Sequence, residues 1–145
     1  MKKLVFAMGL LFLGAVAAKA QTPAAQAEMT FAKEVHDYGD IKQGANGDCE
    51  FKFTNTGSAP LIITDAKGSC GCTVPEWPKT PIKPGASDVI KVHYDTKRIG
   101  PISKTVTVTA NIEGGTKVIR IKGNVQAPEQ TGAPVNNTGG APRNE

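Results

Sequence analysis

The sequence has few aromatic residues and no long helical pattern. Aromatic residues make up 6% of the chain, and tryptophan occurs once in 145 residues. No segment carries apolar residues at helical spacing over three turns, whereas 16 Gly and 10 Pro favour a fold rich in turns. We therefore expect an all-β fold rather than a helical or α/β domain.

The sequence also lacks an apolar run of the ~20 residues that a transmembrane helix needs. The longest apolar run, residues 4–16, follows Lys2 and Lys3 and is followed by Ala18-Lys19-Ala20. This order is typical of a secretory signal peptide, and we predict cleavage after Ala20. An uncleaved N-terminal anchor is the less favoured alternative, because the run is short. The mature protein is predicted to be exported, periplasmic or extracellular, with no membrane span.

Strong positive charge is missing once the signal is removed. Cleavage takes away three of the 17 Lys and Arg residues and leaves 14 against 13 acidic residues, a formal net charge of +1. No basic cluster suited to a phosphate backbone remains. We therefore expect no nucleic-acid partner.

Composition divides the mature chain into three parts. Residues 21–28 are small and polar and are predicted to form a linker, and residues 127–145 are dominated by Pro, Gly, Asn and Thr and are predicted to form a disordered tail. Between them, residues 29–126 alternate apolar and polar side chains, as half-buried strands do.

The alternation predicts about seven strands, the pattern of an immunoglobulin-like β-sandwich. We expect a first strand near residues 30–35, a turn over residues 36–39 and a short strand near residues 72–74. The clearest alternating segments begin near Cys49, Leu61, Ile90, Ile102 and Ile119. The last two are separated by Glu113-Gly114-Gly115-Thr116, which predicts a β-hairpin.

Cysteines are few, and their number is odd. Cys70 and Cys72 flank Gly71, and Cys49 lies in register with Phe51 and Phe53. Residues two apart in an extended strand have Cα atoms ~7 Å apart, which is at the limit of what a disulfide spans. A Cys70–Cys72 disulfide therefore needs a bend in the backbone, which Gly71 permits. We expect such a disulfide to be strained and easily reduced. The alternatives are a structural bridge from Cys49 to Cys70 or Cys72, or a buried Cys49 that acts as a small core residue.

Metal binding is a further alternative for the same pair. The thiolates of Cys70 and Cys72 are soft ligands for Cu(I) or Zn(II), and His36 or His93 could complete the site. The spacing alone is a weak metal signal, and we expect no cofactor. No nucleophile elbow, phosphate-binding glycine motif or paired catalytic carboxylates are present in the sequence.

Three further residues are candidates for a binding surface: Trp77, His36 and Tyr38. Trp77 lies in a Pro-rich loop after the cysteines, where it either caps the core or serves as an aromatic anchor for a partner. His36 and Asp37 are adjacent, so in a strand their side chains point to opposite faces and do not form a catalytic dyad.

Several segments together resemble the bacterial domain-of-unknown-function family 1573. The resemblance covers about residues 29–125 and includes His36-Asp37-Tyr38-Gly39, Phe51-x-Phe53-x-Asn55-Thr56-Gly57, Ser69-Cys70-Gly71-Cys72-Thr73 and Pro81-Ile82-x-Pro84-Gly85. It implies an exported immunoglobulin-like domain akin to pilus-chaperone and sperm-protein-like sandwiches, with no settled activity. The family's recurring cysteine pair corresponds to Cys70 and Cys72, and Cys49 departs from that pattern.

These observations lead to two hypotheses about function. The first is a non-catalytic module of the cell envelope that binds a protein or glycan partner through sheet edges and loops, including the Trp77 loop. The second is a thiol redox or metal-handling protein that uses Cys70 and Cys72.

Overall fold

A computed structural model describes residues 24–129, so the predicted signal peptide and most of the predicted tail lie outside the described residues. The described part contains eight strands and no helix. They are β1 (Met29–Phe31), β2 (Val35–Lys42), β3 (Asp48–Asn55), β4 (Ile63–Gly68), β5 (Thr73–Glu76), β6 (Ser87–Tyr94), β7 (Gly100–Ala110) and β8 (Thr116–Gln126). Nothing in residues 24–129 forms a helix able to cross a membrane.

The strands form two four-stranded sheets. One, called here the β3 sheet, has the order β1-β3-β6-β5, and the other, the β7 sheet, has the order β2-β8-β7-β4. Every pairing is antiparallel except that of β2 with β8. The predicted all-β, immunoglobulin-like sandwich is confirmed, with one strand more than expected.

The core lies between the sheets and follows the alternation of the sequence. Cys49, Phe51 and Phe53 on β3 are buried, and the residues between them are exposed. The other strands add inward side chains in the same way, among them Ile90, Val92, Val106, Val108, Ile119 and Ile121. Full burial of such a side chain contributes about 1.5–3 kcal/mol, so the alternation itself drives the two sheets together.

The first predicted strand is in fact two strands in different sheets. β1 pairs with β3, the exposed residues 32–34 cross to the other sheet, and β2 pairs with β8. The turn expected over residues 36–39 was wrong, because this segment lies within β2. The turn-forming residues produce a β-bulge within the strand instead. Gly39 has a φ of 62°, and its N–H donates to the Asp37 carboxylate over 2.8 Å.

Asn55 holds together the end of the sandwich opposite the cysteines. Its side chain is fully buried, donates to the carbonyl oxygens of Ala59 and Ile82, and accepts from the N–H groups of Gly57 and Glu28. The alternation of the sequence gives no sign of this role. Leu61, expected to begin the next strand, instead makes an isolated bridge to Ile82 before β4 starts.

The predicted hairpin between β7 and β8 is present. The two strands pair from Gly100 opposite Val125 to Thr109 opposite Thr116. Gly114 and Gly115 in the connection have φ values of 76° and 71°, a conformation that favours glycine.

Candidate functional site

Cys70 and Cys72 form a disulfide in the turn that joins β4 to β5. The N–H of Thr73 donates to the Cys70 carbonyl over 3.2 Å, which closes the turn, and the two Cα atoms lie 5.2 Å apart. This separation is within the ordinary range for a disulfide, because the turn replaces the extended backbone assumed from the sequence. The turn joins an edge strand of one sheet to an edge strand of the other.

The glycine that the turn requires is Gly68 rather than Gly71. A Cβ on Gly68 would lie 2.2 Å from the carbonyl oxygen of Thr73, whereas one on Gly71 would meet nothing within 4 Å. Gly71 also lies outside the left-handed region. Close contact between β4 and β5, and not a glycine bend, therefore positions the cysteines.

The two sulfurs have different surroundings. Cys72 is 7% exposed, whereas Cys70 is half-buried. The hydroxyl of the buried Thr73 lies 3.5 Å from Cys70 Sγ and 3.9 Å from Cys72 Sγ, and since the bonded sulfurs carry no proton, this hydroxyl is the donor. Cys70 lines a shallow depression of about 410 Å³ between the end of β4 and the start of β5, and Cys72 does not line it.

Cys49 is a buried free thiol, so the alternative bridge from Cys49 to Cys70 or Cys72 was wrong. Burial raises the pKa of its thiol, against a smaller opposing effect of the Tyr38 hydroxyl. Cys49 lies in β3, in the other sheet from β4. It packs as a small core residue, as its register with Phe51 and Phe53 indicated.

Trp77 follows β5 and packs against the core, half-buried. The ammonium group of Lys79 lies 3.0 Å from the centroid of its ring, a cation–π contact. Together with Pro78 and Val89, Trp77 lines a shallow depression of about 340 Å³ that we call the Trp77 patch. The Nε1 atom of Trp77 is buried and has no hydrogen-bond partner among the described residues.

His36 and Tyr38 lie on β2, the edge strand at the opposite end of the β7 sheet from β4. Their rings meet edge to face with centroids 4.6 Å apart, and the Tyr38 hydroxyl donates to the Gly47 carbonyl over 2.7 Å. Burial, and then the charge of Lys33, lower the pKa of His36, whereas burial raises the pKa of Tyr38 far above its usual range. The structure thus places these two residues apart from both Trp77 and the disulfide.

His93 lies on the exposed face of β6, where its Nδ1 is 2.6 Å from a carboxylate oxygen of Asp48. Neither His93 nor His36 is brought together with both cysteines, and residues 24–129 contain no group of three His, Cys, Asp or Glu side chains placed to hold a metal ion. The metal alternative would require the reduced form of the Cys70–Cys72 pair.

The free edge of β5 is poorly suited to strand addition. The Asp95 N–H donates to the Cys72 carbonyl, and because bonded and non-bonded pairs alternate in an antiparallel ladder, the backbone of Thr73 and Pro75 faces away from β6. The Thr73 N–H is occupied by Cys70, and Pro75 has none. A peptide strand arriving at this edge would find no backbone donor at either position.

A family model described as "Protein of unknown function (DUF1573)" matches residues 29–125. The chain belongs to this family. The match runs from the first residue of β1 almost to the end of β8, so the DUF1573 domain is the whole sandwich, including the Cys70–Cys72 turn.

Several solved structures share the fold of the DUF1573 domain over part or all of their chains. A protein of unknown function from Porphyromonas gingivalis W83 has a TM-score of 0.62 at 19% identity, covering 75% of this chain and 51% of that one. The ASH/PapD-like domain 7 of human CEP192 has a TM-score of 0.54 at 9% identity, covering 84% and 100%. The VesB protease of Vibrio cholerae has a TM-score of 0.54 at 18% identity, covering 69% and 32%.

These likenesses show the fold of the DUF1573 domain and nothing of its activity. The chain spans about half the length of the Porphyromonas gingivalis structure and a third of the protease. A comparison with curated proteins gives no match. The DUF1573 domain thus has an immunoglobulin-like β-sandwich fold, which the PapD-like domain of human CEP192 shares.

Proposed function

We propose that this protein is an exported, non-catalytic module of the bacterial cell envelope that binds a protein or glycan partner through the Trp77 patch. The observation that carries the proposal is the Lys79 ammonium group over the half-buried Trp77 ring. Tryptophan is over-represented where partners anchor, since its large ring gives much contact area for little lost side-chain freedom.

The surroundings of Trp77 support this role. Pro75 and Pro78 restrict the backbone on either side of the tryptophan, which lowers the entropy lost on binding. Lys79 is exposed, so a partner group can displace its ammonium group and take its place on the ring. Glu76, Asp88 and Lys91 at the margin of the patch supply polar groups that can hydrogen-bond to sugars or peptides.

The protected β5 edge favours recognition by this patch over strand addition. Because Thr73 and Pro75 offer no free N–H groups there, a partner gains little from backbone pairing at β5. Side-chain contacts around Trp77 give a partner affinity that does not depend on free backbone groups.

Photocrosslinking in the producing cell tests the proposal. A benzophenone amino acid replacing Lys79 should yield a discrete protein or glycan adduct, and one replacing the exposed Val118 on the outer face of β8 should not. Trp77→Ala combined with the Lys79 probe should remove the adduct while the circular-dichroism spectrum remains that of a β-protein. Equal adducts from both positions, or none from either, would contradict the proposal.

A second candidate function is thiol–disulfide exchange, which the Cys70–Cys72 disulfide favours. Two cysteines separated by one residue close a much smaller ring than structural disulfides usually do. Under the binding hypothesis, changing both cysteines to Ser leaves the Lys79 adduct intact if the protein folds. Under the exchange hypothesis, the pair cycles with a dithiol reductant in the native protein.

A further inference from the structure

We infer that thiol–disulfide exchange at this site is directional, with Cys70 as the sulfur attacked by a thiol-bearing peptide and Cys72 as the buried leaving sulfur. The inference rests on the second candidate function. The substrate class is a cysteine-containing polypeptide.

The accessibility of the two sulfurs sets the direction. Thiol–disulfide exchange requires the attacking sulfur to approach one sulfur along the axis of the bond that breaks. Cys70 lines the depression between β4 and β5, whereas Cys72 is 7% exposed and does not line it. An incoming thiolate therefore reaches Cys70 Sγ first.

The depression suits a peptide rather than a small thiol alone. It is lined by backbone and side chains of residues 66–69 at the end of β4 and by Thr73, Val74 and Pro75 at the start of β5. Val74 is 53% exposed, which gives an apolar contact next to the disulfide. Lys67 on the same wall is a cation for an acidic or carbonyl-rich segment.

Thr73 is placed to assist the departure of Cys72. Its hydroxyl already points to the sulfurs, at 3.5 Å from Cys70 and 3.9 Å from Cys72, and its side chain is buried. When the Sγ–Sγ bond breaks, negative charge develops on Cys72 Sγ. The Thr73 hydroxyl, within reach of both sulfurs, can then donate to this thiolate and stabilise its charge. Thr73 is thus a positioning residue for the leaving thiolate.

The exchange balances without any other reactant. The substrate thiolate forms a bond to Cys70 Sγ, and the electron pair of the broken Sγ–Sγ bond leaves on Cys72, which then takes a proton from water. A second thiolate of the same substrate attacks the substrate sulfur of this mixed disulfide and releases Cys70 as a thiolate. The substrate dithiol is oxidised to a disulfide, and the Cys70–Cys72 pair is reduced by two electrons.

Mapping the mixed disulfide tests the direction. The exported protein carrying Cys49→Ala, which removes the third thiol, is treated with reduced glutathione, quenched with acid and analysed by peptide mass spectrometry. We expect the adduct on Cys70 to exceed that on Cys72 by about tenfold or more, since exchange rates follow access to the attacked sulfur. An adduct mainly on Cys72, or equally on both, would overturn the assignment.

Single-cysteine variants test the same point independently. In the Cys49→Ala background, Cys72→Ser should form a mixed disulfide with oxidised glutathione about tenfold faster than Cys70→Ser, because Cys70 is the accessible sulfur. Circular dichroism checks that both variants fold. Equal rates in two folded variants would contradict the inference.

Thr73 variants separate a positioning role from a structural one. Thr73→Val should slow reduction of the disulfide by glutathione about tenfold, the scale of one hydrogen bond to a charged group, and Thr73→Ser should restore the rate. An unchanged rate in Thr73→Val would remove Thr73 from the mechanism. If glutathione and dithiothreitol reduce the pair only after unfolding, the exchange function itself fails, an outcome distinct from reaction at the wrong sulfur.

Discussion

Gly68 and Gly71 lie on either side of Cys70, yet only Gly68 is required by its surroundings. A Cβ at Gly68 would meet the Thr73 backbone, which cannot move without separating β4 from β5. We expect Gly68→Ala to lower the free energy of unfolding by about 1–3 kcal/mol through overpacking. Urea denaturation followed by tryptophan fluorescence measures this change.

Gly71→Ala is the matched control for Gly68→Ala. Its Cβ would enter open space, and Gly71 does not occupy the left-handed region. The substitution should leave stability unchanged or raise it by about 0.5 kcal/mol through loss of freedom in the unfolded chain. Equal destabilisation by both substitutions would show that the turn, and not the contact between β4 and β5, needs glycine.

Cys49 makes stability fall at alkaline pH. Burial raises the pKa of its thiol in the folded state, whereas a thiol in an unfolded chain has a pKa of about 8.5. The raised pKa stabilises the folded state fully at pH values below the pKa of the unfolded thiol. This stabilisation is lost as the pH rises, because the thiol of the unfolded state then releases its proton before that of the folded state. Tyr38 acts in the same direction above about pH 10, because burial raises its pKa too.

Comparison with Cys49→Ala isolates the contribution of the thiol. The free energy of unfolding of the native protein should fall more steeply between about pH 8 and pH 10 than that of the variant. Urea denaturation across this range gives both slopes. Parallel pH profiles would mean that Cys49 ionises equally in both states.

At the scale of elements, the edge strands differ in how they are protected. In β5, the backbone of Pro75 faces away from the neighbouring strand β6, and β2 has a bulge between Asp37 and Asp40. Proline, bulges and charges are the usual means by which sheet edges avoid pairing with other chains.

Pro75 should therefore limit self-association. Pro75→Thr restores an N–H at the open side of β5, and we expect the variant to form dimers or aggregates at concentrations where the native protein is monomeric. Size-exclusion chromatography with light scattering detects the change. Val74→Thr alters the adjacent residue without adding a donor and should not increase association.

β2 is a strand formed against the local preference of its sequence. His36-Asp37-Tyr38-Gly39 contains good turn formers, and the sequence predicted a turn. The parallel partner β8 instead pairs with His36 and Asp37 and resumes pairing at Asp40. The turn-forming residues therefore produce only a bulge between Asp37 and Asp40. Pairing with a strand more than 80 residues away overrode the local preference.

At the scale of the whole molecule, the chain is proposed to leave the cytoplasm. Cleavage after Ala20 predicts that the exported protein begins at Gln21, which intact-mass analysis of the secreted or periplasmic fraction will show. Ala20→Asp should block processing, because signal peptidase requires a small residue there, and Lys19→Gln should not. A mature protein that retains Leu4 would contradict this prediction.

The sequence alone determined the all-β sandwich, the core positions of Phe51, Phe53, Ile90 and Val92, the β7–β8 hairpin and the family. These follow from period-two alternation and from turn residues, which act over a few neighbouring positions. It left open which cysteines pair and did not reveal the role of Asn55. Only the tertiary structure decided that β1 and β2 belong to different sheets, that Gly68 rather than Gly71 is constrained, and that Cys70 is accessible while Cys72 is buried. Each of these depends on contacts between segments distant in sequence or on packing around the turn, which local patterns do not encode.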